Sequence, residues 1–359
     1  MRRSYGSLLV CLGILLLLTG QAGADTPTIA LNEGVHLALQ ESIDCKIAQL
    51  EWENGQIAYQ KAMADNLLAQ SSYNQGLAEL NLMKADAAYR QSIANVVISV
   101  VRRFSDVRLA MMDLQIKERQ LRLSEKGLEL TQKKVKTQNA SEYDLLQAEA
   151  DLAKSQFDYH KSRDNLEEKQ QAFFLSISSD EMVPDGKLSF VPFEVEIAEI
   201  LPEVLQSSVD IKEALDSLEL ARLDLERLLL DETAALVVRD AQNQVSLAEL
   251  RVEQVRAGII QDVQSAFNSV RQAEQTYRAN CLSYELEKKQ YQIIQGQVDA
   301  GLKTEDDLLK AQISLWEAER SVFDALSNYV ITYLEFDELI GKDVRKSAVL
   351  QEASMGVDG

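Results

Sequence analysis

The sequence predicts an all-α protein made of two tandem repeats, each a long coiled-coil helical hairpin. This prediction follows from where proline is missing, from a match of the chain with itself, and from a seven-residue spacing of apolar side chains. Proline occupies only four positions, which are Pro27, Pro184, Pro192 and Pro202. Because proline costs about 3 kcal/mol inside a helix, the proline-free stretches 28–183 and 203–359 favour very long helices.

The match of the chain with itself has an offset of 163 residues across the central region. It places the sequence SEYDLL at 141–146 on TEDDLL at 304–309, and Phe104 on Phe267. Nearer the amino terminus the offset becomes 166. Self-similarity at a fixed offset indicates tandem copies of one structural unit. We therefore expect five segments: a signal peptide at 1–24, repeat 1 at 25–183, a linker at 184–198, repeat 2 at 199–342, and a flexible tail at 343–359.

The first segment has the three parts of a secretory signal peptide. Arg2 and Arg3 form a basic start, an apolar run extends from Leu8 to Leu18, and small residues follow at 22–24. The apolar run is shorter than the roughly 20 residues that a membrane-spanning helix needs. We therefore expect an exported protein whose mature chain begins near Asp25.

In each repeat, apolar residues recur at steps of three, four and seven, which is typical of a coiled coil. A strict seven-residue period predicts a left-handed supercoil. A helix from about Leu77 to Thr137 would be about 90 Å long at 1.5 Å per residue. Repeat 1 has Ile93, Val97, Val100, Phe104, Val107, Met111 and Leu114; repeat 2 has Ile260, Val263, Phe267, Val270, Tyr277, Tyr284, Tyr291 and Val298. With aromatic residues at only 6% of the chain, we expect thin packing seams in an elongated molecule.

The turn of each hairpin has its own sequence signals. In repeat 2, Gly301 can adopt the left-handed conformation that ends a helix, and Asn139 stands one position away from the equivalent place in repeat 1. Capping boxes open the two returning helices; they are Ser141 with Asp144 and Thr304 with Asp307. The tips are therefore expected near 138–141 and 301–304, with returning helices that run to about Ser178 and Gly341.

Composition argues against catalysis and against nucleic acid as a partner. The formal charge is −20 and becomes −22 once the two arginines of the signal peptide are removed. A net negative charge of this size repels nucleic acid. It indicates solvated acidic helix faces or, as the alternative, an acid-lined passage that prefers cations. The only histidines are His36 and His160, and no metal spacing, phosphate loop or nucleophilic triad is recognisable. Cys45 and Cys281 occupy non-equivalent places in the repeats, which favours free or buried thiols. We predict a non-enzymatic chain without a cofactor or metal.

Several segments together resemble the TolC family of outer-membrane efflux ducts. The sequence VDAGLKTEDDLL at 298–309, with the helix that follows it to 339–341, is similar to the tip and returning helix of that family. The opening segment TIALNEGVHLALQES at 28–42 and its counterpart at 199–212 are similar to the start of each family repeat. The resemblance covers nearly all of the mature chain and implies a TolC-like α-helical tube.

The resemblance also implies partners and a site. Family members form homotrimers whose hairpin tips meet a periplasmic adaptor (membrane fusion) protein, which couples to an inner-membrane pump of the RND or ABC type. Asp307 matches an acidic position that narrows the mouth of the tube, whereas Lys310 stands where a second acid can occur. Carried over by position, the adaptor-docking residues are Asn139, Ala140, Ser141, Asp144, Leu145, Gly301, Leu302, Thr304, Asp307 and Leu308. Helix capping alone also explains Ser141, Asp144, Thr304 and Asp307.

The sequence departs from the family at the places where β-strands are inserted. Two spanning strands of 9–11 residues with a loop need about 30 residues. Repeat 1 leaves only a turn near 71–76, and repeat 2 leaves room for one short strand at Ala235–Val238 at most. We expect the β-barrel strands to be absent or very short.

Three functions remain open on the sequence alone. The first is an efflux or secretion duct component at the periplasmic face of the outer membrane. The second is an exported coiled-coil scaffold or chaperone that conducts nothing, and the third is the adaptor itself. A duct requires a closed trimer, whereas a scaffold does not; an adaptor requires strand-rich domains, which this sequence does not predict.

Overall fold

The structure is a computed structural model that describes residues 28–69, 71–179, 182–185, 188–230 and 234–350. The predicted signal peptide at 1–24 and the last part of the predicted tail, 351–359, lie outside the described residues.

The described chain is built almost entirely from helices, which confirms the all-α prediction. Two segments with the same order of helices follow one another, and the two longest helices, α3 and α7, both contain 65 residues. The first segment contains β1 (Thr28–Ile29), α1 (Leu31–Glu41), α2 (Ile43–Ala69), α3 (Ser72–Lys136) and α4 (Glu142–Ile177). The second contains β2 (Val183–Pro184), α5 (Ile197–Ser207), α6 (Val209–Leu230), α7 (Ala235–Asp299), α8 (Glu305–Leu339) and the 3-10 helix α9 (Val344–Lys346).

The helices lie side by side in one row. Towards the hairpin tips the order is α4, α3, α8 and α7, and towards the opposite end it is α2, α3, α6 and α7. The strands β1 and β2 pair in parallel, with Thr28 opposite Val183 and Ile29 opposite Pro184. In the described part of the chain, α7 therefore forms one edge of the row, and α2 with α4 forms the other.

The predicted seam of repeat 1 is buried. Val97, Val100, Phe104 and Val107 all have exposed fractions of 1% or less. In repeat 2 the seam contains Val263 and Val270, but the assignment of Ile260 to it is wrong, since 42% of that side chain is exposed. The half-buried residue of that turn is Ile259, four positions before Val263, so the seam passes through Ile259 and leaves Ile260 on the outer face.

A thicker core lies midway along the row, where the linker returns to the helices. Phe193 of the linker packs against Phe267 and Phe336, with ring centroids 5.4 and 5.2 Å away. The Tyr329 hydroxyl donates a hydrogen bond to the Val191 carbonyl oxygen at 2.5 Å. The linker thus fills the centre of the molecule, while thin seams extend from it towards both ends.

Two further expectations need correction. Ala235–Val238 is not a strand but the first turn of α7, because a lone extended segment would leave its backbone groups without a ladder partner. Residues 343–350, expected within a flexible tail, pack on the core instead: Val344, Val349 and Leu350 are buried, and Asn32 Nδ2 donates to the Leu350 carbonyl oxygen at 3.1 Å.

Cys45 is buried, Cys281 is half-buried, and both are free thiols, as predicted. Among the described residues, no helix combines the length and the apolar composition that crossing a membrane requires.

Candidate functional site

The candidate site is the pair of hairpin tips, and both tips end their incoming helix in the same way. At the end of α7, the Gly301 N–H donates to the Val298 carbonyl and the Leu302 N–H donates to the Gln297 carbonyl, both at 2.8 Å. This crossed pair of bonds is the Schellman motif, which requires one residue with a left-handed backbone. Gly301 supplies it, with a φ of 73°.

In the first tip the left-handed residue is Gln138, with a φ of 57°, and not Asn139. The Gln138 N–H donates to the Val135 carbonyl at 2.9 Å, and the Asn139 N–H donates to the Lys134 carbonyl at 2.8 Å. Gln138 is also the residue that the 163-residue offset pairs with Gly301. The hydrogen-bond pattern is therefore conserved between the tips even though the first tip has a side chain at the strained position.

The predicted capping boxes are both formed. The Asp144 carboxylate accepts hydrogen bonds from the Ser141 N–H and hydroxyl, each at 2.8 Å, and the Asp144 N–H donates to the Ser141 oxygen at 3.2 Å. The Thr304 N–H and hydroxyl donate in the same way to Asp307 at 3.0 and 2.8 Å, with 3.2 Å for the return bond. Each box satisfies backbone donors that the first turn of a helix leaves unpaired.

These bonds set the charge of the two carboxylates. The backbone hydrogen bond from Ser141 lowers the pKa of Asp144, and the one from Thr304 lowers the pKa of Asp307, with Lys303 and Lys310 adding to the second effect. A lowered pKa means that folding favours the ionised form. Both tips therefore carry a fixed negative charge at neutral pH.

The two tips lie at the same end of the molecule and are joined by contacts between α3 and α8. Lys126 Nζ lies 3.7 Å from Glu305 Oε2, at the first turn of α8. Further along, Arg320 binds Asp113 through two hydrogen bonds of 2.5 and 3.1 Å. The sequence did not predict these pairs, because the partners are separated by about 180–210 residues and no local pattern couples them.

Most of the ten predicted docking residues are open to solvent. Ala140, Leu145, Asp307 and Leu308 are half-buried; the exposed ones are Asn139, Ser141, Asp144, Gly301, Leu302 and Thr304. The predicted constriction residue, Asp307, has one carboxylate oxygen occupied by its capping box. In the described part of the chain, no cluster of three or more His, Cys, Asp or Glu side chains could hold a metal ion.

No family model and no curated protein matches this sequence. Solved structures do match. The chain is similar to the outer membrane protein VceC of Vibrio cholerae, with a TM-score of 0.59 and 12% identity over 87% of this chain and 96% of that one. It is similar to the CmeC outer membrane channel of Campylobacter jejuni, with a TM-score of 0.56 and 15% identity over 91% and 90%. It is also similar to CusC, whose crystal structures concern folding and transmembrane channel formation. That match has a TM-score of 0.57 and 17% identity over 89% of this chain and 98% of CusC.

At these identities the likeness establishes the fold. The chain has the TolC-like fold of outer-membrane efflux channels, and the resemblance drawn from its sequence is confirmed at that level.

Proposed function

We propose that this chain is a non-enzymatic duct component of the cell envelope, which forms the periplasmic helical tube of a tripartite efflux or secretion system. The observation that supports this most is the match over about nine-tenths of both chains to outer membrane channels. A likeness of that extent includes the whole row of helices and both hairpins. In this proposal the chain needs no cofactor, and its signal peptide brings it to the periplasmic face of the outer membrane.

The tube requires more than one copy, since one chain forms an open row with two edges. The edge helices carry large apolar side chains that face solvent in a single chain, among them Leu146 and Phe157 on α4 and Leu282 and Leu286 on α7. Covering such side chains releases roughly 25 cal/mol per Å² of apolar surface. This supports the homotrimer that the family resemblance implies.

The tips are proposed to dock a periplasmic adaptor, which in turn meets an inner-membrane pump. Two features support a docking role beyond helix capping. Each tip is held by a Schellman motif followed by a capping box, so its backbone is fixed before a partner arrives. Leu302, at the apex of the second tip, is an apolar side chain left exposed by the fold. A rigid turn with an exposed apolar residue suits a helical partner, because little ordering is needed on binding.

Asp307 is proposed to narrow the mouth of the tube with negative charge. Its support is the lowered pKa, which keeps the carboxylate ionised, and its place in the first turn of α8. Lys303 and Lys310 lie near enough to influence that pKa, so a constriction here would be less acidic than one with two carboxylates.

The proposal is tested by efflux from cells that lack this chain. We expect such cells to retain a fluorescent cationic dye, and the re-expressed chain to restore export. The variant Leu302→Asp should assemble normally but fail to restore export. The control is Leu130→Asp, at an exposed position of α3 before the first tip, and it should restore export. Normal export without the chain would overturn the duct and favour the scaffold function.

A further inference from the structure

We propose that residues 341–350, which we call the strap, form a pH-sensitive clip that ties the end of repeat 2 to the start of repeat 1 and is controlled by Asp337. The strap is held tightly at low pH and loosens as the pH rises. This inference goes beyond the proposed duct, because it concerns the connection between the two repeats and not what passes along them.

A Schellman motif at the end of α8 turns the strap back towards the helix that it follows. The Gly341 N–H donates to the Glu338 carbonyl at 2.9 Å, and the Lys342 N–H donates to the Asp337 carbonyl at 2.8 Å. Gly341 has the left-handed backbone that the motif requires, with a φ of 77°. The turn therefore fixes the start of the strap and places Lys342 close to Asp337.

The strap is attached to repeat 1 at two of its backbone carbonyls. Arg90 of α3 donates from Nη1 to the Gly341 carbonyl oxygen at 3.2 Å. Asn32 of α1 donates to the Leu350 carbonyl oxygen at 3.1 Å. Val349 and Leu350 are buried in the main core, together with side chains of α1 and α3. The strap thus connects the last long helix of repeat 2 with the first helix of repeat 1.

Asp337 is a buried carboxylate next to the strap. It is only 4% exposed, and Ser347 of the strap is buried to the same extent. Among the described residues, the Ser347 hydroxyl has no hydrogen bond of normal geometry, but it lies close enough to the Asp337 carboxylate to lower its pKa. A buried charge is costly unless polar partners surround it. Ser347 and Lys342, which supply that support, both belong to the strap.

Burial dominates the charge state of Asp337. Loss of water raises its pKa, and Ser347 and Lys342 offset part of that rise. Tyr333 lies one turn earlier on α8, and its own pKa is raised by burial and by the Asp337 charge. The ionised form of Asp337 is therefore the unfavourable one while the strap covers it.

The other charged groups around the strap have partners of their own. Two ion pairs, at 3.0 and 2.8 Å, lie within single elements: Arg90 with Asp86 on α3, and Arg345 with Asp343 in the strap. Glu338, the residue after Asp337, is influenced by Glu335. The contact from α1, Asn32, is a neutral amide. Lys342 is thus the cation that acts on Asp337.

The direction of the pH dependence follows from this burial. With the strap closed, the pKa of Asp337 is raised; with the strap open, water reaches the carboxylate and the pKa returns towards its ordinary value of about 3.9. A group with the higher pKa in the closed state favours closure when it is protonated. The strap is therefore most stable below the ordinary value and loosens as the pH rises through the raised value.

Amide hydrogen exchange of the full mature chain tests this, with each rate divided by the intrinsic rate at the same pH. The informative amides are those of Ser347 and Leu350, which donate to the Val344 and Ser347 carbonyls at 3.1 Å. Between about pH 4.5 and 8 we expect their protection to fall by up to tenfold for each pH unit. Asp343 adds nothing in this range, because Arg345 lowers its pKa and it stays ionised.

The decisive variant is Asp337→Asn, which keeps the shape of the side chain and removes its charge. Its strap amides should be at least as protected as the wild type at low pH, and that protection should stay constant as the pH rises. A flat profile in the wild type, or the wild-type profile in Asp337→Asn, would overturn the proposal.

Ser347→Ala tests the contribution of the strap itself. It removes a donor that supports the ionised carboxylate, so it should lower strap protection roughly tenfold at high pH and by less at low pH. The control is Ser105→Ala, at another buried serine, whose hydroxyl donates to the Val101 carbonyl at 2.8 Å. This variant should leave the pH profile of the strap unchanged. An equal loss at every pH in Ser347→Ala would contradict the role given to Ser347.

The connection to repeat 1 has its own readout. In the first turn of α1, the Gly34 N–H donates to the Ala30 carbonyl at 2.9 Å, beside Asn32. Its protection should follow that of the strap with pH and become constant in Asp337→Asn, while the Leu302 amide of the distant second tip stays constant in both chains. A strap that responds to pH while the Gly34 amide does not would overturn the clip between the repeats.

Discussion

The substitution Gly301→Ala tests how the second tip is built. Gly301 has a φ of 73°, and an added Cβ would meet no atom within 4 Å. The cost of the alanine therefore comes from the backbone alone. A left-handed conformation costs an L-amino acid about 1–2 kcal/mol relative to glycine. We therefore expect the free energy of local unfolding of the tip to fall by about that amount.

The matched control is Gly258→Ala, in the middle of α7. An added Cβ meets nothing within 4 Å there either, but the backbone is helical, so alanine should stabilise by about 0.5–1 kcal/mol. The same glycine-to-alanine change is thus expected to lower stability at Gly301 and to raise it at Gly258.

The assay is amide hydrogen exchange combined with urea unfolding of the mature chain. Gly301→Ala should speed exchange of the Leu302 amide, which the Schellman motif protects, by roughly five- to thirtyfold, a factor of ten for each 1.4 kcal/mol. Gly258→Ala should leave that amide unchanged and raise the urea midpoint. Unchanged exchange at Leu302 in Gly301→Ala would refute the assignment of the left-handed turn to this residue.

Three further predictions concern other residues. Gln138→Gly should stabilise the first tip by about 1 kcal/mol, because the strained φ of 57° then costs nothing; a loss of stability in urea unfolding would contradict this. Gly55→Ala should destabilise by about 1–3 kcal/mol, since its Cβ would lie 2.7 Å from the Ala85 Cβ, and an unchanged melting temperature would mean that α2 and α3 are farther apart. The Asp307 box should stabilise the tip above the unfolded-state pKa of about 3.9 and be lost as pH falls through the lower folded-state pKa. Asp307→Asn should remove this acid dependence from hydrogen exchange at the tip, and an Asn variant with the wild-type dependence would contradict the assignment.

Local sequence signals predicted the features that local chemistry determines. The two capping boxes depend on residues three positions apart, and Gly301 is marked by its own conformational freedom, so each could be identified in the sequence. The first tip shows the limit of that reasoning. Asn139 is the better left-handed residue by type, but the length of α3 places Gln138 at that position, and repeat alignment predicts it better than residue preference does.

Contacts between distant parts of the chain could not be predicted in the same way. Lys126 and Glu305 are ordinary surface residues on charged helices until the fold brings α3 beside α8. Residues 343–350 follow a glycine and a lysine and show no amphipathic period in the sequence. Val349 and Leu350 are buried because the fold brings them to the main core, where Asn32 of α1 binds the Leu350 carbonyl oxygen. Their order depends on tertiary packing, which composition does not encode.

The most direct test of the duct is the mass of the mature assembly, residues 25–359, by native mass spectrometry. We expect a species of three chains, as the proposed trimeric duct requires. A single chain, or a dimer that does not grow beyond two copies, would contradict it.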